Sequence, residues 1–219
     1  TNYDLTFAGN DFAITKRAIT IKAKDGQTKV YGASDPEFTY QIVSGNLVES
    51  DKFTGKLSRT AGENTGTYAI GQNTLGLNAN YDLTYQGNTF TVQKAALKIL
   101  VDNKTRFLGT ANPAFTVTYS GFVSGEDARV LSALPVMTTE ASISSSLGEY
   151  AIVAAGAEAS NYEITYQNGI LKVVPGAPNS VGLASVVIFE NRPAGTAAGT
   201  LSSTSLDPNA TFTFSLTSG

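Results

Sequence analysis

Asn161-Tyr-Glu-Ile-Thr-Tyr-Gln-Asn-Gly-Ile-Leu-Lys-Val-Val174 is the third occurrence of one pattern in this chain. Asn80-Tyr-Asp-Leu-Thr-Tyr-Gln-Gly-Asn-Thr-Phe-Thr-Val-Gln93 is the second, and Asn2-Tyr-Asp-Leu-Thr-Phe-Ala-Gly-Asn-Asp-Phe-Ala-Ile-Thr15 the first. Tyr3, Tyr81 and Tyr162 stand 78 and 81 residues apart. A segment that returns at so regular an interval makes internal repetition the first hypothesis. Each copy alternates apolar and polar residues, as in Tyr162, Ile164, Tyr166 and then Leu171, Val173. Gly9-Asn10, Gly87-Asn88 or Asn168-Gly169 separates the two runs. These dipeptides tolerate positive φ, so the local reading is a tight β-hairpin that closes one module and hands over to the next.

The flanking sequence supports the repeat. Ala18–Ala23 and Ala96–Val101 alternate like first strands. Gly109, Pro113 and Phe115 follow Gly32, Pro36 and Phe38 by 77 positions each. Ser120-Gly121 answers Ser44-Gly45, and Gly148–Ile152 answers Gly66–Ile70. Phe53–Leu57 reads as a further strand, and Glu49–Phe53 and Gly125–Leu131 as single helical turns, the latter with the stronger pattern. The handovers Lys16-Arg17 and Gln93-Lys94-Ala95 contain almost no linker, which restricts bending and favours an elongated arrangement. Residues 1–17 read as the closing hairpin of a preceding module, 18–94 and 95–174 as two complete modules. Pro175-Gly-Ala-Pro178 marks a boundary, and 177–219 read as a truncated module of another kind. The chain opens inside a hairpin and is expected to be an excerpt of a longer polypeptide.

Composition narrows the function. Only 15% of the 219 residues are charged, and the net charge is −3 with no basic cluster, which argues against nucleic acid. Histidine, cysteine and tryptophan are absent, so no disulfide framework, histidine base, thiol nucleophile or His/Cys metal set is available. No apolar run reaches the ~18 residues of a membrane span. Glu126-Asp127 reads as a solvated turn rather than half of a catalytic carboxylate pair. Tyr81, Tyr85, Tyr162 and Tyr166 could form a carbohydrate-stacking row. Tyr81, Leu83 and Tyr85 share strand parity, however, which favours the core.

The set formed by Tyr31-Gly32, Pro36, Phe38, Gly66–Ile70 and Asn80–Val92 resembles the bacterial MBG family, whose members occur in tandem in large surface adhesins. Gly109, Pro113, Phe115, Gly148–Ile152 and Asn161–Val174 repeat the resemblance, with Leu108 in place of the first tyrosine. It implies a mainly β chain of small tandem modules, either immunoglobulin-like sandwiches or β-grasp-like sheets crossed by a short helix. It also implies a non-enzymatic stalk segment of a secreted or cell-surface adhesin that projects a distal binding region. The partners expected are neighbouring repeats of the same chain and a surface glycan or protein ligand. The alternatives are a glycan-binding module using exposed tyrosines, or an accessory region of an exported hydrolase. The C-terminal piece resembles the first half of a cadherin-like repeat through Glu190-Asn191, Pro193–Thr196, Gly199–Leu201 and Phe212–Leu216. That resemblance implies calcium as the one cofactor, with Glu190 and Asp207 as metal ligands. Asn209 stands where an aspartate is usual, so the set is incomplete.

Overall fold

The computed structural model describes residues 2–4, 6, 8–176, 180–183, 193, 200–205 and 211–213. The chain divides into two compact units, Thr1–Ala95 with Ser160–Tyr162, and Ala96–Ala159 with Glu163–Gly219. Each is mainly β.

In the first unit the strands are β1 (Arg17–Ala23), β2 (Gln27–Val30), β3 (Tyr40–Ser44), β4 (Ser58–Arg59), β5 (Gly66–Gly71), β6 (Tyr81–Gln86) and β7 (Asn88–Gln93). They form a three-stranded sheet, β3-β1-β6, and a four-stranded sheet, β2-β7-β5-β4. Alternation sets the inward faces. Ile19, Ile21 and Ala23 of β1 and Tyr81 of β6 meet Ile70 of β5 and Phe90 and Val92 of β7 in one buried cluster. Residues of both sheets share this core, so the unit is a two-sheet sandwich. Among its described residues there is no helix.

The second module uses β8 (Ala95–Val101), β9 (Lys104–Phe107), β10 (Val117–Ser120), β11 (Val136–Thr139), β12 (Gly148–Ala155), β13 (Tyr162–Gln167) and β14 (Gly169–Val174). Its sheets are β10-β8-β13 and β11-β12-β14-β9. Read in the same direction, this strand order is that of the first unit, element for element. Val101, Ile152, Ala154 and Leu171 lie at the centre of its core. A 3₁₀ turn at Ala128–Val130 falls within the stronger helical-turn candidate, with Asp127 accepting the amide of Arg129. Glu49–Phe53 forms no helix, and within Phe53–Leu57 pairing is limited to a bridge between Thr54 and Gly76.

The recurring stretch is not a hairpin. β6 runs parallel to β1 in one sheet, while β7 pairs with β5 and β2 in the other. β13 and β14 are divided between sheets in the same way. The chain therefore turns a corner between two sheets at Gly87 and at Asn168-Gly169. Neither glycine has a positive φ; Gly169 is needed for close approach, while a Cβ on Gly87 would meet the Ile70 carbonyl oxygen at a tight 3.3 Å. A Cβ on Gly169 would lie 2.8 Å from the carbonyl oxygen of Val101 and 2.9 Å from that of Asp102. Alternation looks identical in a hairpin and in two strands that face each other across a core, which is why sequence alone favours the commoner arrangement. Positive φ appears instead at Gly32 (81°) and Gly109 (75°), in the turns after β2 and β9, where a side chain would be strained.

Among the described residues, the hairpin expected over 1–17 does not form either. The described residues from 2 to 16 carry no strand, and Tyr3, Phe12 and Ile14 are almost fully exposed. A two-stranded ribbon with no facing sheet is marginal in water. Beyond the second module, β15 (Ser180–Leu183) pairs antiparallel with β16 (Leu201–Thr204).

Candidate functional site

The densest polar constellation among the described residues lies in the first unit. β2 places Lys29 on the inward parity of Gln27-Thr-Lys-Val30, and it is buried. β4 brings Arg59 alongside, its guanidinium 4.8 Å from the Tyr68 ring centre and 5.3 Å from that of Phe90. Asp35 comes from the loop before Pro36, and Glu63 from the polar loop after β4. Lys29 Nζ donates to Asp35 Oδ1 at 2.8 Å and to Glu63 Oε2 at 2.5 Å. Arg59 forks onto Asp35 through Nε (2.6 Å) and Nη2 (2.9 Å), and Nη2 also reaches Glu63 Oε1 at 2.8 Å. Its Nη1 donates to the carbonyl of Gly62.

Two cations facing two carboxylates make a self-neutralising quartet. The Arg59 fork, aided by Lys29, overcomes the opposing effect of burial and brings the Asp35 carboxyl down from 3.8 to about 2. Lys29 and then Arg59 lower Glu63 as well. Burial opposes the charge on Lys29, but the bonds to Asp35 and Glu63 outweigh it and raise its pKa. A protonated amine beside an ionised carboxylate provides neither a nucleophile nor a proton acceptor near neutrality. The quartet is suited to pinning two loops onto the sheet. The adjoining cleft of about 630 Å³, lined by Asp35–Phe38 and Lys56–Glu63, exposes the edge of that same network.

The second module replaces the quartet with neutral acceptors. Arg106 stands 77 positions after Lys29 and is equally buried, and Asn112 stands 77 after Asp35. Arg106 donates to Asn112 Oδ1 (2.8 Å), to the Phe107 carbonyl (3.1 Å) and to the Ser142 carbonyl (2.5 Å). Asn112 Nδ2 in turn holds the Ala141 carbonyl at 2.7 Å. One arginine thus secures the same loop without a carboxylate. Sequence reading passed over both sites. The available signal was a cation at an inward strand position, repeated 77 residues later, with Asp or Asn just before the shared proline.

Tyr81, Tyr85 and Tyr166 face the two cores. Tyr81 and Tyr162 are buried, and Tyr85 and Tyr166 pack half-buried against the two cores. Tyr81 Oη donates to Asp51 Oδ2 at 2.6 Å and accepts from the amide of Val48 at 2.9 Å. Tyr85 Oη donates to the Ile70 carbonyl at 2.8 Å, and Tyr166 Oη accepts the Ala157 amide at 2.9 Å. The Tyr81 and Tyr166 hydroxyls fasten loops, that of Tyr85 holds the β5 backbone, and the four rings present no stacking row to solvent. Tyr81→Phe is expected to cost about 1 kcal/mol, the net value of a buried hydrogen bond. The readout is faster amide exchange at Val48–Asp51 with the sheets unchanged.

Glu126-Asp127 is a turn, as expected: Asp127 caps Ala128–Val130 and pairs with Arg129 at 2.7 Å. Glu190 and Asp207 lie outside the described residues. Among the described residues, no group of three or more Asp or Glu side chains could hold a metal ion, and no helix is long and apolar enough to cross a membrane.

Comparison with curated proteins and with solved structures finds no match. Comparison with family models gives two matches in tandem to the MBG domain (YGX type), over residues 19–91 and 97–172. The glycine of that motif is the one held at positive φ after β2 and again after β9, and Lys29 and Arg106 sit just ahead of it. With both matches falling on the two sandwiches of identical strand order, the chain belongs to the MBG domain (YGX type) family.

Proposed function

We propose that this chain is a non-enzymatic stalk segment of a secreted or cell-surface bacterial adhesin, in which the modules spanning 18–94 and 95–174 carry a distal binding region away from the cell. MBG domains are found in bacterial surface proteins, which is compatible with this role. The observation that carries the reading is the repetition of one strand order over two cores, with polar groups spent on internal fastening. Modules with their own cores unfold one at a time under load, so a tandem array dissipates force stepwise. The C-terminal residues from 177 onward add the start of a cadherin-like module in this reading, with calcium held through Glu190 and Asp207.

Pulling the whole chain by its ends tests the proposal. Two separate unfolding events are expected, each releasing about 25 nm for roughly 75 residues at full extension. One cooperative event, or unfolding without a measurable force peak, would remove the mechanical reading. Saturable glycan binding lost on substituting a single surface aromatic would replace it with a lectin-like one.

A further inference from the structure

The first and last strands of the first module are partners along their whole length. β1 runs parallel to β6, with Arg17 opposite Tyr81 and Lys22 opposite Gln86. β2 runs parallel to β7, with Gln27 opposite Phe90 and Val30 opposite Gln93. Gly87 alone separates β6 from β7. One residue advances the chain by only ~3.5 Å, too little to reverse direction between sheets that pack ~10 Å apart. β6 and β7 are therefore one bent strand, and β1 and β2, which keep the same order against it, are another. The two pass from the three-stranded to the four-stranded sheet side by side. Backbone bonds close this ladder at both ends, from the Arg17 amide to the Asn80 carbonyl (2.9 Å) and from the Tyr31 amide to the Gln93 carbonyl (2.8 Å).

Pairing of these two strands is interrupted between Lys22 and Gln27, where they change sheets. A side chain bridges the interval: Asn88 Nδ2 donates to the Ala23 carbonyl at 3.0 Å and to Asp25 Oδ1 at 2.6 Å. The second module does this from the opposite strand. β9 runs parallel to β14, Asn168 alone separates β13 from β14, and Asn103 Oδ1 accepts the Ile170 amide at 2.8 Å. Arg17 and Gln93, where the chain enters and leaves the first module, lie at opposite ends of the ladder. Force between them slides one strand past the other, so the rungs share it. Force applied at one end of the ladder breaks them singly. Forced unfolding is governed by the barrier, and loading the rungs together raises it. We propose that the paired terminal strands of each module are a shear clamp, with Asn88 and Asn103 supplying the rung at which the ladder passes between sheets. The clamp itself rests on strand register, and its use under tension rests on the stalk reading.

The chain has no cysteine, so introduced cysteine pairs set the direction of force in single-molecule pulling of the whole chain. Lys16→Cys with Lys94→Cys loads the first ladder in shear. Lys16→Cys with Asn80→Cys grips one end of it and unzips it. All three positions are exposed. At one loading rate the shear force is expected to be at least about threefold the unzipping force, because evenly spaced rungs break together rather than singly. Asn88→Ala should raise the unfolding rate in shear about fivefold at fixed force, the worth of one hydrogen bond. It should leave unzipping unchanged, since that starts at the Arg17 end. Asn103→Ala, loaded between Lys94→Cys and Pro175→Cys, should accelerate the second module in the same way. Equal forces in the two directions overturn the clamp, even where pulling by the chain ends still gives the two events expected of a stalk. An Asn88→Ala effect of the same size in both directions, or no effect of either asparagine substitution in shear, overturns the rung assignment.

Discussion

Asp35→Ala is expected to destabilise the first unit by about 3 kcal/mol, toward the lower end of what removing one partner of a buried ion pair costs, because Glu63 remains. Lys29 and Arg59 are nearly inaccessible, with side chains 4% and 5% exposed, and Asp35 binds both. Without it, two buried cations share one carboxylate that is itself two-thirds exposed. Hydrogen exchange resolved by segment reads the result: β2, β5 and β7 should lose protection while β9, β12 and β14 keep theirs. Equal loss in both sets, or none, would show that the quartet does not hold the first sandwich together.

Acid should produce the same asymmetry. Asp35 titrates at about 2 in the folded unit against 3.8 for the ordinary group, and Glu63 is displaced in the same direction. A carboxylate lowered by folding stabilises the native state above its unfolded pKa, and that contribution is lost as pH falls through the folded value. Protection in the first unit should therefore begin to fall below about pH 4 and keep falling toward pH 2. Arg106 is bonded to an amide and two carbonyls, which do not titrate in that window. The lowered carboxylates of the second module, Asp102 and Asp127, bond exposed partners, so their loss matters less. A second module that unfolds first in acid would contradict this account.

Gly121→Ala is expected to be at least as damaging, costing more than about 2 kcal/mol from backbone strain before the clash is added. Gly121 has φ +112°, and a Cβ there would lie 2.4 Å from the carbonyl oxygen of Ala96. Gly45 has φ +81° and the same 2.4 Å conflict with the carbonyl of Ala18. Each glycine follows the third strand of its module and lies against the start of the first. Either substitution should uncouple the three-stranded sheet of its own module, with thermal unfolding shifted down by several degrees. Gly26→Ala provides the comparison, because it has φ +73° but no atom within 4 Å of the added Cβ. Gly26→Ala matching Gly121→Ala would place the cost in φ alone and remove the close-approach argument.

Much of this protein is legible in its sequence because repetition exposes it. The spacing of Gly32, Pro36 and Phe38 against Gly109, Pro113 and Phe115 defines two equivalent modules before any coordinate is known. Strand alternation in Ala18–Ala23 and Ala96–Val101 identifies the inward residues, since period two leaves little choice of face. Shared parity places Tyr81 and Tyr85 inside. Absence of histidine and cysteine restricts the chemistry at the level of composition.

The tertiary structure decided the rest, and in each instance the deciding contact joins residues far apart in the chain. Asn80–Gln93 has the local pattern of a hairpin, but β6 finds β1 and β7 finds β2 and β5, so its two halves lie in opposite sheets. Only the carbonyls of Val101 and Asp102 explain why Gly169 must lack a side chain. Lys29, Asp35, Arg59 and Glu63 are ordinary surface residue types in sequence. They form one network only because β2 and the β4 loop meet over Phe90.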